Sequence, residues 1–375
     1  MSFLDHLTPS DEAEMIRDSA TRFTGAVSEA ALRQSDGFDA DRWVGMADLG
    51  WHGILADDAA GGLGLGAAEA AILAYAAGHA RLPEPFVASS VTALTALRAA
   101  GVGIDVLAGL VAGSRIFAPV GFGLPVGLAT PVSAAPDKDG ASLCGTVPLC
   151  EVGPHTTDLL IFADGPEPML ARLPSGTDGI AITPYRGIDG RHLGKVHLDG
   201  YTVGDEAILA RGAAARNAVA KAEAVTVAAL CADAVGTIDK ALALTRTYLN
   251  ERQQFGRPLA SFQALRHRFA DIGVEAELAR SMAEMASFAA QTLADPTPLL
   301  DRARARICRA AQTVGQATIQ LHGGMGMTDE MAIGHYFRRL ICLQALLGQE
   351  AGSLRLRSAA LAAEIDAEAR LEAAQ

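Results

Sequence analysis

The sequence predicts an α+β chain in three parts: an N-terminal helical domain over residues 1–113, a middle antiparallel β domain over 114–211, and a C-terminal four-helix-bundle domain over 212–375. Three observations carry that expectation. Alanine-rich stretches with apolar residues at helical spacing fill both ends of the chain. The stretch between them gathers most of the prolines and holds short apolar runs separated by turns. At 375 residues the chain is long enough to bury a large core, and two or three domains are the natural division.

In the first zone Phe23, Val27 and Ala30 recur at helical spacing, as do Trp43, Met46 and the Leu49-Gly50 pair. The cluster Gly61-Gly62-Leu63-Gly64-Leu65-Gly66 precedes another helical run through Tyr75, and Pro83-Glu84-Pro85 then stops or redirects the chain. That cluster is no dinucleotide fingerprint, because its third glycine comes one residue too early and no strand leads into it. In the middle zone Leu159-Leu160-Ile161-Phe162 forms a short apolar run, while Met169, Ala171 and Leu173, then Val196 and Leu198, alternate with period two. Helices return from Ala213. Phe262, Leu265, Phe269, Ile272, Ala276 and Ala279 share one buried helical face, which Asp295-Pro296 ends. A last long helix is expected from near Asp301 to Leu321, terminated by Gly323-Gly324.

Composition excludes several function classes. A net charge of −12 argues against a nucleic-acid partner, which needs clustered Lys and Arg, yet leaves room for one phosphorylated ligand held by a few donors. No window approaches the roughly 18 uninterrupted apolar residues of a membrane span. The opening Met1-Ser2-Phe3-Leu4-Asp5-His6 lacks a charged-then-apolar signal pattern, and Glu372-Ala373-Ala374-Gln375 is no targeting tail, so a cytoplasmic protein is expected. Cys144, Cys150, Cys231, Cys308 and Cys342 show no Cys-x-x-Cys pairing and read as thiols in a reducing compartment. No metal site is expected: His192 and His197 lack carboxylates at ligand spacing. No Gly-x-Ser-x-Gly elbow exists for a hydrolase.

The most informative stretch is Asn250-Glu251-Arg252-Gln253-Gln254-Phe255-Gly256-Arg257-Pro258-Leu259, closed by Ser261-Phe262-Gln263. A guanidinium suits the bidentate grip of a pyrophosphate, and an aromatic side chain packs against a ring system. Downstream, Gln320-Leu321-His322-Gly323-Gly324-Met325-Gly326-Met327 ends a helix in glycines, which also admit a ligand close to the backbone. His322 reads as structural. The first stretch resembles the Arg-x-Gln-Phe-Gly-x-Pro-(x)4-Gln signature of the acyl-CoA dehydrogenases, and the second resembles that family's other flavin-contacting segment. Leu49-Gly50-Trp51 through Gly61-Gly62-Leu63-Gly64 is similar to the family's N-terminal segment. The resemblance covers nearly the whole chain.

It implies the same three-domain fold, FAD as cofactor, α,β-dehydrogenation of an acyl-CoA substrate, and an electron-transfer flavoprotein as acceptor. It implies that Arg252, Phe255 and Gln263, with Gln254 beside them, reach the flavin dinucleotide of a neighbouring subunit. Gln320, Gly323 and Gly324 would contact its adenosine-diphosphate half across the same kind of boundary.

The chain departs from the family where its own chemistry would sit. The reaction needs a carboxylate base and an oxyanion environment beside the flavin. Matching Tyr336-Phe337-Arg338-Arg339 to the family's helix puts Leu347, ahead of Gly348, at the commoner base position. Matching Gly236 puts Thr226 at the alternative position, with Val227 where an arginine follows. Glu223, one helical turn earlier, is the remaining candidate base, with Glu350 and Asp233 further outside. The family's Thr-Glu-Pro-x-Ala-Gly-Ser-Asp-like segment, which lies against the flavin ring, reads here Pro119-Val120-Gly121-Phe122-Gly123-Leu124-Pro125-Val126-Gly127.

Donors for a neighbour's cofactor thus survive while the base does not. This resembles bacterial α2β2 heterotetramers, in which one subunit supplies the base and the other completes the flavin site, and which act on sterol side chains, steroid rings and other bulky acyl-CoA substrates. Two alternatives stay open: a self-sufficient homotetramer with Glu223 as relocated base, and a non-catalytic structural partner without flavin.

Overall fold

A computed structural model describes residues 11–34, 37–122, 130–137, 140–352, 354–355, 358 and 361–362. The expectations for residues 1–6, 123–127 and 372–375 lie outside the described residues. The N-terminal part is helical: α1 (Asp11–Gly25), α2 (Glu29–Gln34), α3 (Ala40–Asp48), α4 (Ala67–His79), a π-helical stretch Phe86–Ala93, α5 (Leu94–Ala99) and α6 (Ile104–Val111). Asp39 caps α3, accepting a hydrogen bond from the Arg42 amide at 2.9 Å, and the helix buries Trp43 and Met46. Helix α4 is apolar nearly all round and buried from Ala70 through Gly78, as befits a helix inside the molecule.

Eight strands follow: β1 (Phe117–Val120), β2 (Thr130–Asp137), β3 (Gly140–Cys150), β4 (Asp158–Ala163), β5 (Met169–Pro174), β6 (Ile180–Arg186), β7 (His192–Val203) and β8 (Ile208–Arg211). They form two four-stranded sheets, ordered β1-β4-β5-β8 and β2-β3-β7-β6. All pairings are antiparallel except β1 with β4, which is parallel. The chain leaves β1, builds the β2–β3 hairpin in the other sheet, and returns to β4 in its original direction. Such a crossover is what parallel neighbours require. The first sheet is covered on both faces. Leu159 and Ile161 enter the core between the sheets, whereas Leu160 and Leu170 enter the helical core. Burial on both sides explains why Leu159 to Phe162 is a continuous apolar run.

The C-terminal part consists of α7 (Gly212–Glu251), a hairpin of β9 (Gln253–Gln254) and β10 (Arg257–Pro258), α8 (Gln263–Thr292), α9 (Thr297–His322) and α10 (Ala332–Leu346). Helix α9 starts a turn earlier than Asp301, because Pro298 has the φ of a first helical turn preset and cannot donate where no acceptor exists. The 40-residue α7 is the central post, nearly all buried from Thr226 to Ile238. It lies directly against α4. A Cβ on Gly236 would come within 2.1 Å of the Tyr75 carbonyl oxygen, and one on Gly78 within 2.1 Å of the Asp233 carbonyl oxygen. Only glycine permits that approach. Among the described residues, no helix is long and apolar enough to cross a membrane.

Candidate functional site

The residues singled out in the sequence gather at the exposed end of α7. Arg252 leaves the helix in an extended conformation, and its carbonyl accepts from the Leu259 amide at 2.8 Å to close the hairpin. Gln254 pairs with Arg257 across it. At the turn Phe255 (φ +53°) and Gly256 (φ +76°) are both left-handed, the requirement of a type I′ connection. Glycine meets it freely, whereas phenylalanine there costs about 1 kcal/mol. The strained ring gains no burial in return, since Phe255 is 91 % exposed. Arg257 lies over the Phe262 ring, 4.2 Å from its centroid, and Phe262 meets Phe255 edge to face at 6.2 Å. Arg252 is exposed and forms no ion pair among the described residues. Gln263, at the start of α8, is exposed as well.

The glycine segment lies beside this hairpin. Tyr248, one turn before Arg252, stacks on His322 at 4.4 Å and donates to its carbonyl oxygen at 3.2 Å. Gln320, Gly323 and Gly324 are exposed, and a Cβ on either glycine would meet nothing within 4 Å. Among the described residues nothing fills that space. The His322 ring is buried, with its Nδ1 2.8 Å from the Thr318 carbonyl, and burial lowers its pKa.

A second place collects the positions where a base was sought. A cavity of about 70 Å³ lies where the π-helical stretch, β1, β3, α7 and α10 meet, lined by Val87, Thr92, Phe122, Glu151, Thr226 and Leu346 among others. The Thr226 hydroxyl is 2.6 Å from both the Thr92 hydroxyl and the Ala222 carbonyl oxygen, and Thr92 donates to the Val87 carbonyl at 2.9 Å. Leu347, next to Leu346, is fully buried. Neither position offers a carboxylate.

The cavity wall does carry one, Glu151, which the sequence reading passed over. Its Oε1 accepts from Arg191 at 3.0 Å. Arg191 also donates to Asp189 at 2.7 Å; Arg339 stands 3.7 Å from Asp189 and 2.5 Å from Asp233. Burial pushes the Glu151 pKa up, with Arg191 and Arg339 opposing and Asp189 and Asp233 reinforcing it. For Asp189 burial also pulls upward, but Arg191 and Arg339 prevail and hold its carboxyl below the usual range. The available signal was an acid inside the apolar run Leu149-Cys150-Glu151-Val152, which breaks the strand's pattern.

The other acids named as candidates lie elsewhere. Glu223 faces a separate groove of about 920 Å³ with Lys221, Asp301 and Arg304, between α7 and the junction of α8 and α9. Glu350 lines a third groove with Gln312 and Phe337. Asp233 is committed to Arg339. Among the described residues no cluster of His, Cys, Asp and Glu has the arrangement of a metal site.

Family models match both ends of the chain: the acyl-CoA dehydrogenase N-terminal domain at residues 10–102 and its C-terminal domain at 216–361. The chain belongs to the acyl-CoA dehydrogenase family. It is 28 % identical to the acyl-CoA dehydrogenase IpdE2 of Mycobacterium tuberculosis over 347 residues, covering 89 % of this chain and 92 % of that protein. Among solved structures it resembles the Tcur3481-Tcur3483 steroid ACAD, with a TM-score of 0.85, 28 % identity, and coverage of 95 % and 99 % of the two chains. The ChsE4-ChsE5 complex from Mycobacterium tuberculosis shares the fold, with a TM-score of 0.84 at 24 % identity over 96 % and 99 %. The helical, β and helical parts described above are the architecture of these flavoprotein oxidoreductases.

Proposed function

We propose that this acyl-CoA dehydrogenase-family chain completes the FAD site of a catalytic partner subunit, in a heteromeric enzyme that dehydrogenates an acyl-CoA thioester between its α and β carbons. The observation that carries the reading is the hairpin tip. A strained phenylalanine and an uncommitted arginine are held out to solvent, where this chain's own fold has no use for them. The donor set fits a flavin dinucleotide. Arg252 would grip the pyrophosphate, and Phe255 would pack on the ring system. Gln254 and Gln263 would supply amide hydrogen bonds, and the bare backbone at Gly323 and Gly324, beside Gln320, would admit the adenosine-diphosphate half. FAD supplies the acceptor for the substrate's hydride.

The chain's own cavity supports the same reading. At about 70 Å³ it is far smaller than the roughly 300 Å³ and above of ligand pockets. Thr226 and Leu347 cannot take a proton from the α carbon, and Glu151 is held by Arg191. The base therefore comes from the homologous partner, in an α2β2 assembly. The likeness to a steroid ACAD favours a bulky polycyclic acyl group, and an electron-transfer flavoprotein is the acceptor the family chemistry calls for.

The test is to purify the chain alone and with its genomically neighbouring homologue, then measure bound flavin and acyl-CoA-dependent dye reduction. Flavin and turnover in the pair, and neither in the single chain, are the expected result. Stoichiometric flavin with full turnover in this chain alone would overturn the reading in favour of a homotetramer. A complex without flavin would leave a structural partner.

A further inference from the structure

The cavity wall and the junction of the β domain with the bundle share one buried charge cluster. Glu151 follows β3. Asp189 and Arg191 sit in the turn between β6 and β7, Asp233 on α7, and Arg339 on α10. Asp189, Arg191, Asp233 and Arg339 are each at most 8 % exposed, and the Glu151 side chain is 9 % exposed. The ion pairs run in one chain: Glu151 to Arg191, Arg191 to Asp189, Asp189 to Arg339, Arg339 to Asp233. Three carboxyls therefore share two guanidiniums. An uncompensated buried charge is expensive, so a cluster of this composition sheds it. A guanidinium cannot give up its proton at ordinary pH, and one of the acids must take one up instead.

The geometry decides which. Asp189 is bracketed by both arginines, and its Oδ1 also accepts from the Arg191 amide at 3.3 Å. Asp233 holds the short contact to Arg339 and receives the Thr237 hydroxyl at 3.3 Å. Among the described residues Glu151 has one partner, at the end of the chain of pairs, on the face that borders the cavity. The remaining titratable groups around the cluster are the Cys150 thiol on β3 beside Glu151, the Cys342 thiol on α10 beside Asp189 and Arg191, and the Tyr185 phenol on β6 near both thiols; burial raises all three, so they stay uncharged at neutral pH.

We propose that this cluster is a proton-bearing joint: Glu151 holds the extra proton at neutral pH, keeps the cavity wall uncharged, and clamps the β domain onto α7 and α10 until alkali removes that proton. The direction of burial on Glu151 agrees. The sign follows from linkage. A carboxyl whose folded pKa is raised contributes stability that is fully present below its unfolded value and is lost as pH rises toward the folded value. The joint is independent of whether a partner subunit supplies the base.

The test compares the thermal midpoint of the full-length chain with Glu151→Gln and with Asp189→Asn between about pH 4, below the ordinary carboxyl value, and about pH 9. Glutamine is isosteric with the protonated acid, so wild type and Glu151→Gln should coincide at the acid end. As pH rises, the wild type should fall below Glu151→Gln. Asp189→Asn leaves two acids against two guanidiniums, so Glu151 ionises in its pair and the alkaline loss should disappear there too. A wild type that gains on Glu151→Gln with rising pH would overturn the proposal, since Glu151 would then act as an ordinary ion-pair anion. Failure of Glu151→Gln to fold at about pH 5, where it mimics the proposed state, would overturn it equally.

Discussion

Replacing Phe255 with glycine separates what the hairpin does for this chain from what it does for a neighbour. The ring is 91 % exposed and sits at φ +53°, so the isolated chain loses almost no apolar burial and sheds about 1 kcal/mol of left-handed strain. Glycine's greater freedom when unfolded returns roughly 0.5–1 kcal/mol of that relief. The edge-to-face contact with Phe262 is worth a similar amount. The net change in the chain alone is therefore within about 1 kcal/mol, under roughly 4 °C in thermal midpoint. In the assembly the same ring would be buried against a flavin, where a phenylalanine side chain is worth about 1.5–3 kcal/mol. Its loss should weaken flavin retention by roughly 10- to 150-fold. The assay is differential scanning fluorimetry of the single chain, paired with flavin dissociation from the purified complex on dilution. Unchanged flavin retention in a complex that demonstrably holds flavin would refute the reasoning, and so would a large loss of stability in the chain alone.

Other perturbations follow from the same structure. Gly236→Ala places a methyl group 2.1 Å from the Tyr75 carbonyl, so α4 and α7 must separate; a loss of about 3 kcal/mol or more is expected in denaturant unfolding. Arg339→Met removes the guanidinium between Asp189 and Asp233, and should cost about 3–5 kcal/mol by the same measurement. Burial lowers the pKa of His52, His79 and His155 to about 4, so they stay neutral in the fold while the unfolded chain takes up protons below about 6.5. Stability should therefore fall as pH drops from about 6.5 toward 4, visible as a falling thermal midpoint. Thr226→Val deletes the hydroxyl shared with Thr92 and should cost only about 1 kcal/mol, because Thr92 keeps the Val87 carbonyl.

How much of this was legible in the sequence varied with the range of the interaction. The helical parts were readable because their periodicity is local: Leu265 through Ala279 lie along α8, with Phe262 as its N-cap and Ile272, Ala276 and Ala279 buried. The residues of the hairpin segment stood out for the same reason, all falling within one short stretch, although the hairpin itself was not expected. The parallel pairing of β1 with β4 was not, because it depends on a crossover through another sheet that no local pattern encodes. Glu151 was harder still. Its partner Arg191 lies 40 residues downstream with Asp189 in the same turn, and Asp233 and Arg339 are on two helices, α7 and α10. The cavity shows the limit from the other side. Sequence matching brought Thr226 and Leu347 to attention as vacancies for a base, whereas the acid just past β3 was marked only by interrupting an apolar run, which does not say which wall it reaches.

Helix α7 carries Thr226 at the cavity and runs unbroken to Glu251, with Arg252 as its C-cap. At 1.5 Å per residue, that stretch fixes the two places roughly 40 Å apart along one rigid axis. The helix is in effect a measuring rod. In an assembly where this hairpin enters a partner's site, the distance from that site to this chain's own cavity is written in the helix's residue count. Adding or removing one full turn beyond Ile238 would shift the donor tip by about 5.4 Å and leave the cavity untouched.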